Sequence, residues 1–288
     1  MIQVNVDNAV ILAAGFSSRF VPLCFDLPKG LLPVYGETLI ERQIRQLHEV
    51  GINDIIVVTG AYAEQFDFLK KKYGITLVFN PDYATKNNFA SIYAARDYLG
   101  NTMISSSDLF FTKNIFQGTA EHSYYASVFS NGETNQRSLT LDENDKIIGV
   151  KYGGKDTWIT FGGQAFFTAD FSLKLIQAIK PFYDNPEYSN KYWVDFQDAD
   201  LKGLPMHIKR CDTADIVEFN TLESLWKFDK DFNASEISPT MRRICEELNV
   251  ENERELSGFE PVRSGNSAVG CSFNLAGRHY KYMITTKK

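Results

Sequence analysis

A chain of 288 residues has room for one large α/β domain, or for one domain with an appendage. Its hydrophobic content of 44% sustains a sizeable core and excludes disorder as the default state. A net charge of -6 and a pI of about 5.4 leave no basic surplus for nucleic acid or an anionic membrane surface.

In chain order, Val10 to Ala13 are apolar and close on Gly15, which predicts a buried strand entering a loop. The opening MIQVNVDNAVILAAG therefore reads as a strand and turn rather than a signal peptide. Leu39, Ile40, Ile44, Leu47 and Val50 recur at helical spacing, with Gly51 as a stop. Ile55 to Thr59 is a β-branched run and predicts a second buried strand. A helix over 63–72, a strand over 76–79, a helix over 88–99 and a strand over 103–107 follow. This alternation predicts a doubly wound, mostly parallel sheet of Rossmann-like type, with ligands at the carboxyl ends of the strands. Beyond Asp108 the texture changes to short strands at 124–129, 138–141 and 147–151, the last two joined by an Asp142–Asp145 turn. A helix over 171–182, an aromatic loop through Tyr192 and Trp193, strands at 206–210 and 216–219, and a helix over 222–232 complete the main body. From about residue 235 a separate unit is expected: a helix from Ser238-Pro239 to about Leu248, a turn-rich stretch, and strands at 272–275 and 280–284. The expected division is thus 1–234 for the main domain and 235–288 for a small appendage.

The residues that carry chemistry begin at Leu12-Ala13-Ala14-Gly15-Phe16-Ser17-Ser18-Arg19, followed by Pro28-Lys29-Gly30-Leu31. A small-residue turn after a strand lets backbone N–H groups approach a triphosphate. Arg19 and Lys29 add the fixed charge that stabilises a pyrophosphate leaving group. The four cysteines Cys24, Cys211, Cys245 and Cys271 include no CxxC pair and read as reduced thiols of a cytoplasmic protein. No stretch is apolar for long enough to span a bilayer.

On these residues the chain resembles the sugar-phosphate nucleotidyltransferases and, within them, the bacterial CTP:phosphocholine cytidylyltransferases. Leu12 to Arg19, Pro22-Leu23 and Pro28 to Leu31 match a signature of the form LAAGxxSRxxPL…PKxL. Gly51-Ile52-Asn53-Asp54-Ile55-Ile56, Asn87-Asn88-Phe89 and Ser91-Ile92-Tyr93 extend the likeness across roughly residues 10–232. The resemblance implies a transfer of CMP from CTP to a small phosphorylated amine, phosphocholine first, with pyrophosphate released. It implies Mg2+ as cofactor, held by Asp108, Glu218 and Asn220. It places the nucleotide on Leu12, Ala13, Ala14, Gly15, Asn88 and Ser91, and the acceptor among Arg137, Lys155, Tyr192, Trp193 and Asp195.

Three positions depart from the family pattern. Ser106 and Asn220 stand where aspartates are usual, which reduces the charge available to a metal. Arg137 follows Thr134-Asn135-Gln136 where the phosphocholine enzymes carry a tryptophan. A guanidinium cannot form an aromatic wall and repels a cation; it suits a phosphate or phosphonate oxygen instead. The open alternatives are a phosphoethanolamine or 2-aminoethylphosphonate cytidylyltransferase, a sugar-1-phosphate nucleotidyltransferase, and a non-catalytic nucleotide-binding protein. Taken alone, Asn88 and Ser91 read equally well as a helix cap. The tail faintly resembles the opening of a choline kinase-like lobe, through Ile244 to Leu248, Glu260-Pro261 and the Ser264-Gly265-Asn266-Ser267 turn. A truncated or degenerate lobe of this kind is not expected to act as a kinase.

Overall fold

The computed structural model describes residues 3–265 and 267–284, so Asn266 of the tail turn lies outside the described residues. The chain forms two compact units. One comprises Met1–Ala14 and Arg42–Glu218, the other Gly15–Glu41 and Phe219–Lys288. The boundary expected after residue 234 falls inside the second unit.

In the first unit, β1 (Asn8–Ala13) is buried along its whole length. It lies parallel to β2 (Ile55–Thr59), and β2 lies parallel to β3 (Thr76–Phe79). On its other side β1 is parallel to β4 (Thr102–Ser106). Burial on both faces explains why β1 and β2 are continuous apolar runs rather than alternating ones. Helix α1 (Leu39–Glu49) presents Leu39, Ile40, Ile44 and Leu47, all fully buried, and Gly51 at φ 83° ends it in the left-handed region. Helices α2 (Asp67–Tyr73) and α3 (Phe89–Ala94) are shorter than expected, because 3-10 turns take up Ala63–Phe66 and Arg96–Tyr98.

Strand β5 (Leu109–Phe111) was not expected; the chain turns at Ser107-Asp108 and continues extended. The next strands are far longer than their apolar segments. β6 (Tyr124–Leu141) and β7 (Ile147–Phe167) form a ribbon that folds back, so that Ser138 pairs with both Lys151 and Ile159. Gly132, Gly153, Gly154 and Gly163 sit in it at positive φ, and these glycines conceal the strand from any reading by β propensity. The expected turn at 142–145 is present, with Asp142 Oδ1 accepting from the Asn144 and Lys146 N–H groups. Helix α4 (Ala169–Ile179) follows. Helix α5 (Trp193–Ala199) replaces the expected aromatic loop. β8 (His207–Cys211) and β9 (Ile216–Glu218) complete the unit. The sheet has seven strands in the order β8-β6-β7-β4-β1-β2-β3, while β9 pairs antiparallel with β5 apart from it. The sheet is mixed, since β7 runs antiparallel to both β4 and β6.

In the second unit, α6 (Leu222–Phe228) and α7 (Ala234–Ile237) precede α8 (Pro239–Leu248). Ser238 caps α8 by accepting from the Met241 N–H at 3.0 Å, as its sequence indicates. Strands β10 (Ser257–Ser264), β11 (Ser267–Leu275) and β12 (Arg278–Met283) form an antiparallel sheet. Gly258 and Pro261 lie inside β10 and Gly265 follows it, which gives the segment the composition of a turn. Buried Glu253 ties the unit together, accepting from Trp226 Nε1 at 3.0 Å and from the Ala234 and Ser235 N–H groups at 2.7 Å.

Candidate active site

In the first unit, β1 ends on Leu12, Ala13 and Ala14, all buried. Ala61 donates its N–H to the Ala14 carbonyl at 3.0 Å. A Cβ on Gly60 would stand 2.6 Å from that carbonyl, so only glycine permits the approach. Leu12 lies in register with Ser106 of β4, and the Ser107 N–H donates to the Leu12 carbonyl at 3.0 Å. The turn carrying half-buried Asp108 is thereby fixed against the end of β1.

Glu218 reaches the same turn from β9, where it pairs with Leu109, the residue after Asp108. Sequence reasoning missed the group that holds this turn. Gln43 of α1 is fully buried; its Nε2 donates to the carbonyls of Ser106 and Leu109, both at 2.9 Å, and its Oε1 accepts from Ser105 Oγ at 2.8 Å. The available signal was a glutamine standing inside the apolar stripe of α1. The resemblance sets Asn220 beside Glu218 as a metal partner. Instead β9 stops at Glu218, Phe219 is buried and Asn220 is exposed just before the Thr221 cap of α6.

The expected acceptor segment is drawn to α3. Asn88 Oδ1 accepts from the Trp193 N–H at 3.0 Å, and Asn87 donates its backbone N–H to the Ser189 carbonyl at 2.7 Å. Asn88 therefore does not spend its side chain on capping α3. Ser91 is buried and accepts from Asn80 Nδ2 at 3.1 Å. Trp193 is 1% exposed, stacked on Tyr125 at 5.5 Å and edge-on to Phe167 at 4.9 Å. Its faces serve the core, whereas the resemblance lists it among the acceptor residues. Tyr192 is half exposed, and Asp195 accepts from its backbone N–H at 2.7 Å to cap α5. Lys155 is exposed opposite Glu133 in the ribbon.

Arg137 is 6% exposed. Its Nε and Nη2 form a forked pair with the two carboxylate oxygens of Asp198 on α5, and Nη2 also donates to Gln197 Oε1 at 3.0 Å. Nη1 is buried with no hydrogen-bond partner among the described residues. Asp198 therefore cancels the charge that was expected to repel a cation, and leaves one donor edge unused. The Tyr125 hydroxyl lies in the same field: burial pushes it up to about 12, Arg137 pulls it down, and Asp198 and Glu218 push it up.

In the second unit, Gly15 and Arg19 are exposed. A Cβ on Gly15 would meet nothing within 4 Å, so the space above the loop is open there. Ser17 sits at φ 53°, and its Oγ accepts from the Lys29 N–H at 3.3 Å. Lys29 is 6% exposed with Nζ 5.8 Å from the Phe20 ring centre.

A family model described as the MobA-like NTP transferase domain matches residues 9–138. The choline-phosphate cytidylyltransferase of Streptococcus pneumoniae is 34% identical over 223 residues, covering 77% of this chain and 97% of its own. The chain belongs to this nucleotidyltransferase family. The 2-aminoethylphosphonate cytidylyltransferase of Lancefieldella rimae is also 34% identical, over 226 residues that cover 77% of this chain and 92% of that one. A solved structure of the CTP:phosphocholine cytidylyltransferase from Streptococcus pneumoniae superposes with a TM-score of 0.74 at 34% identity, covering 79% of this chain and 99% of that one. The solved relative thus shares the fold described above, and the two named relatives differ in acceptor.

Proposed function

We propose that the chain is a cytoplasmic, magnesium-dependent cytidylyltransferase that transfers CMP from CTP to a small phosphorylated amine and releases pyrophosphate. The observation that carries this reading is the pairing of Glu218 with Leu109 beside Asp108, held by Gln43 at the end of β1. Asp108 follows the carboxyl end of β4 and Glu218 comes to its neighbour Leu109 from β9, and carboxylates so placed suit an ion that takes hard oxygen ligands. Among the described residues no three His, Cys, Asp or Glu side chains group to cage a metal by themselves, and magnesium asks for fewer. Asp108 and Glu218 would hold it, and when bound it would offset charge on the phosphates. Arg19 and Lys29 neutralise the pyrophosphate as it leaves. The Leu12 to Gly15 turn, Asn88 and Ser91 orient the nucleotide. The acceptor's own phosphate or phosphonate oxygen attacks the α-phosphorus, so no covalent enzyme intermediate is needed. On this reading residues 1–234 hold the machinery and 235–288 are the appendage. No helix among the described residues is long and apolar enough to cross a membrane.

Phosphocholine is the first acceptor on resemblance. A primary-amine acceptor, phosphoethanolamine or 2-aminoethylphosphonate, is the second reading, and a specific observation favours it. Trp193 is sealed in the core, and the tryptophan expected at position 137 is an arginine whose Nη1 offers a hydrogen bond. A trimethylammonium group gains about 0.5–2 kcal/mol from aromatic faces that are absent at both positions. The test is pyrophosphate release with CTP, magnesium and each acceptor, comparing kcat/KM for wild type and Arg137→Trp. On the second reading wild type prefers a primary amine, on the first phosphocholine; on either, the variant is expected to shift several-fold toward phosphocholine. An unchanged preference would remove Arg137 from the acceptor site; no release with any acceptor would sink the transferase reading.

A further inference from the structure

The C-terminal hairpin touches the signature loop within the second unit. Arg263 of β10 donates from Nη1 to Ser18 Oγ at 2.9 Å. Ser18 lies between Ser17, held in the left-handed region, and Arg19. The hairpin is fixed by independent ties. Glu223 Oε1 accepts from the Gly258 N–H at 2.8 Å and from the Phe259 N–H at 3.3 Å at its base. Asp26 of the loop region accepts from Ser238 Oγ, and from Thr240 N and Oγ1 at 3.0 Å, at the start of α8. Cys24 and Cys271 are both buried. Burial pushes the Cys24 thiol up to about 12 and Arg263 pulls it back. The guanidinium is exposed, and one hydrogen bond to Ser18 uses one of its five N–H donors.

We infer that Arg263 is a third cation of the triphosphate site, delivered by the appendage: it fixes Ser18 and lends its charge to the phosphates bound on the signature loop. The inference rests on reading that loop as the triphosphate site. The physical argument is proximity of charge. Pyrophosphate gains negative charge as it leaves, and a guanidinium already oriented by the loop needs no reorganisation to meet it. Nearly the whole of the Streptococcus pneumoniae relative is matched by 77% of this chain, so this chain carries sequence beyond that relative's extent.

The experiment uses the full chain and four proteins: wild type, Arg263→Ala, Arg263→Gln and Arg263→Lys. Glutamine retains a donor for Ser18 without charge; lysine retains the charge. Thermal unfolding checks that each is folded. Steady-state pyrophosphate release should show KM for CTP raised about tenfold in the Ala and Gln variants, the scale of one charge-assisted hydrogen bond. KM for the acceptor should stay unchanged, and lysine should restore most of the loss. A Gln variant with the wild-type KM for CTP would make Arg263 a mere loop tie and overturn the inference, as would an Ala variant with no defect. If wild type releases no pyrophosphate, the transferase reading fails, and calorimetric CTP binding still decides Arg263. Equal binding by wild type and the Gln variant overturns the inference, and weakened binding upholds it.

Discussion

Gln43 commits both polar atoms of its carboxamide to the stretch from Ser105 to Leu109. Replacing it with leucine keeps the volume of the α1 stripe but strands two carbonyls and a hydroxyl in the interior. Each stranded group costs about 1–3 kcal/mol, so Gln43→Leu should lower unfolding free energy by roughly 2–5 kcal/mol in urea titrations, allowing for partial relaxation. Because the turn carries Asp108, kcat should fall further than the loss of folded protein explains. A variant of wild-type stability and turnover would show that Asp108 needs no such support.

At the scale of elements, α5 is tied to β6 by a buried charge pair. Asp198 is 17% exposed and Arg137 6%. Removing one partner of such a pair costs about 3–5 kcal/mol because the other charge stays buried. Asp198→Ala is therefore expected to destabilise by about 3 kcal/mol, whereas Arg137→Met combined with Asp198→Leu should be nearly neutral. Equal losses in the single and double variants would mean that packing, not charge, is at stake. Arg137 was picked out by its departure from the family pattern, but Asp198 was not. It lies 61 residues away on a helix that was read as a loop, and no local pattern joins the two.

At the scale of the whole molecule, residues beyond 234 complete a core that begins near residue 20. Leu23 and Cys24 are buried, as are Met241, Ile244, Phe259 and Phe273. Trp226 lies 6.4 Å from Phe259 across the same core. Fully burying one such side chain contributes about 1.5–3 kcal/mol, and each kcal/mol moves Tm by about 2–4 °C in a chain of this size. A chain ending at Ala234 should therefore melt roughly 10 °C or more below the full chain in calorimetry. Equal melting temperatures would make 235–288 a passive addition.

The strands of the parallel half of the sheet and the contiguous string of the signature loop were legible because each is local. β1 and β2 are apolar runs, α1 is an apolar stripe with a glycine stop, and the loop is a contiguous string. The place of Asp108 just after an apolar strand was legible too, whereas its role comes from the resemblance alone. What only the tertiary structure decided depends on distant partners. It buried Trp193 against Tyr125 and Phe167, and neutralised Arg137 with Asp198. It ended β9 before Asn220, and brought Arg263 to Ser18 across 245 residues of chain. A periodicity reports which face of an element is apolar; it carries no term for which other element that face, or an isolated charge upon it, will meet.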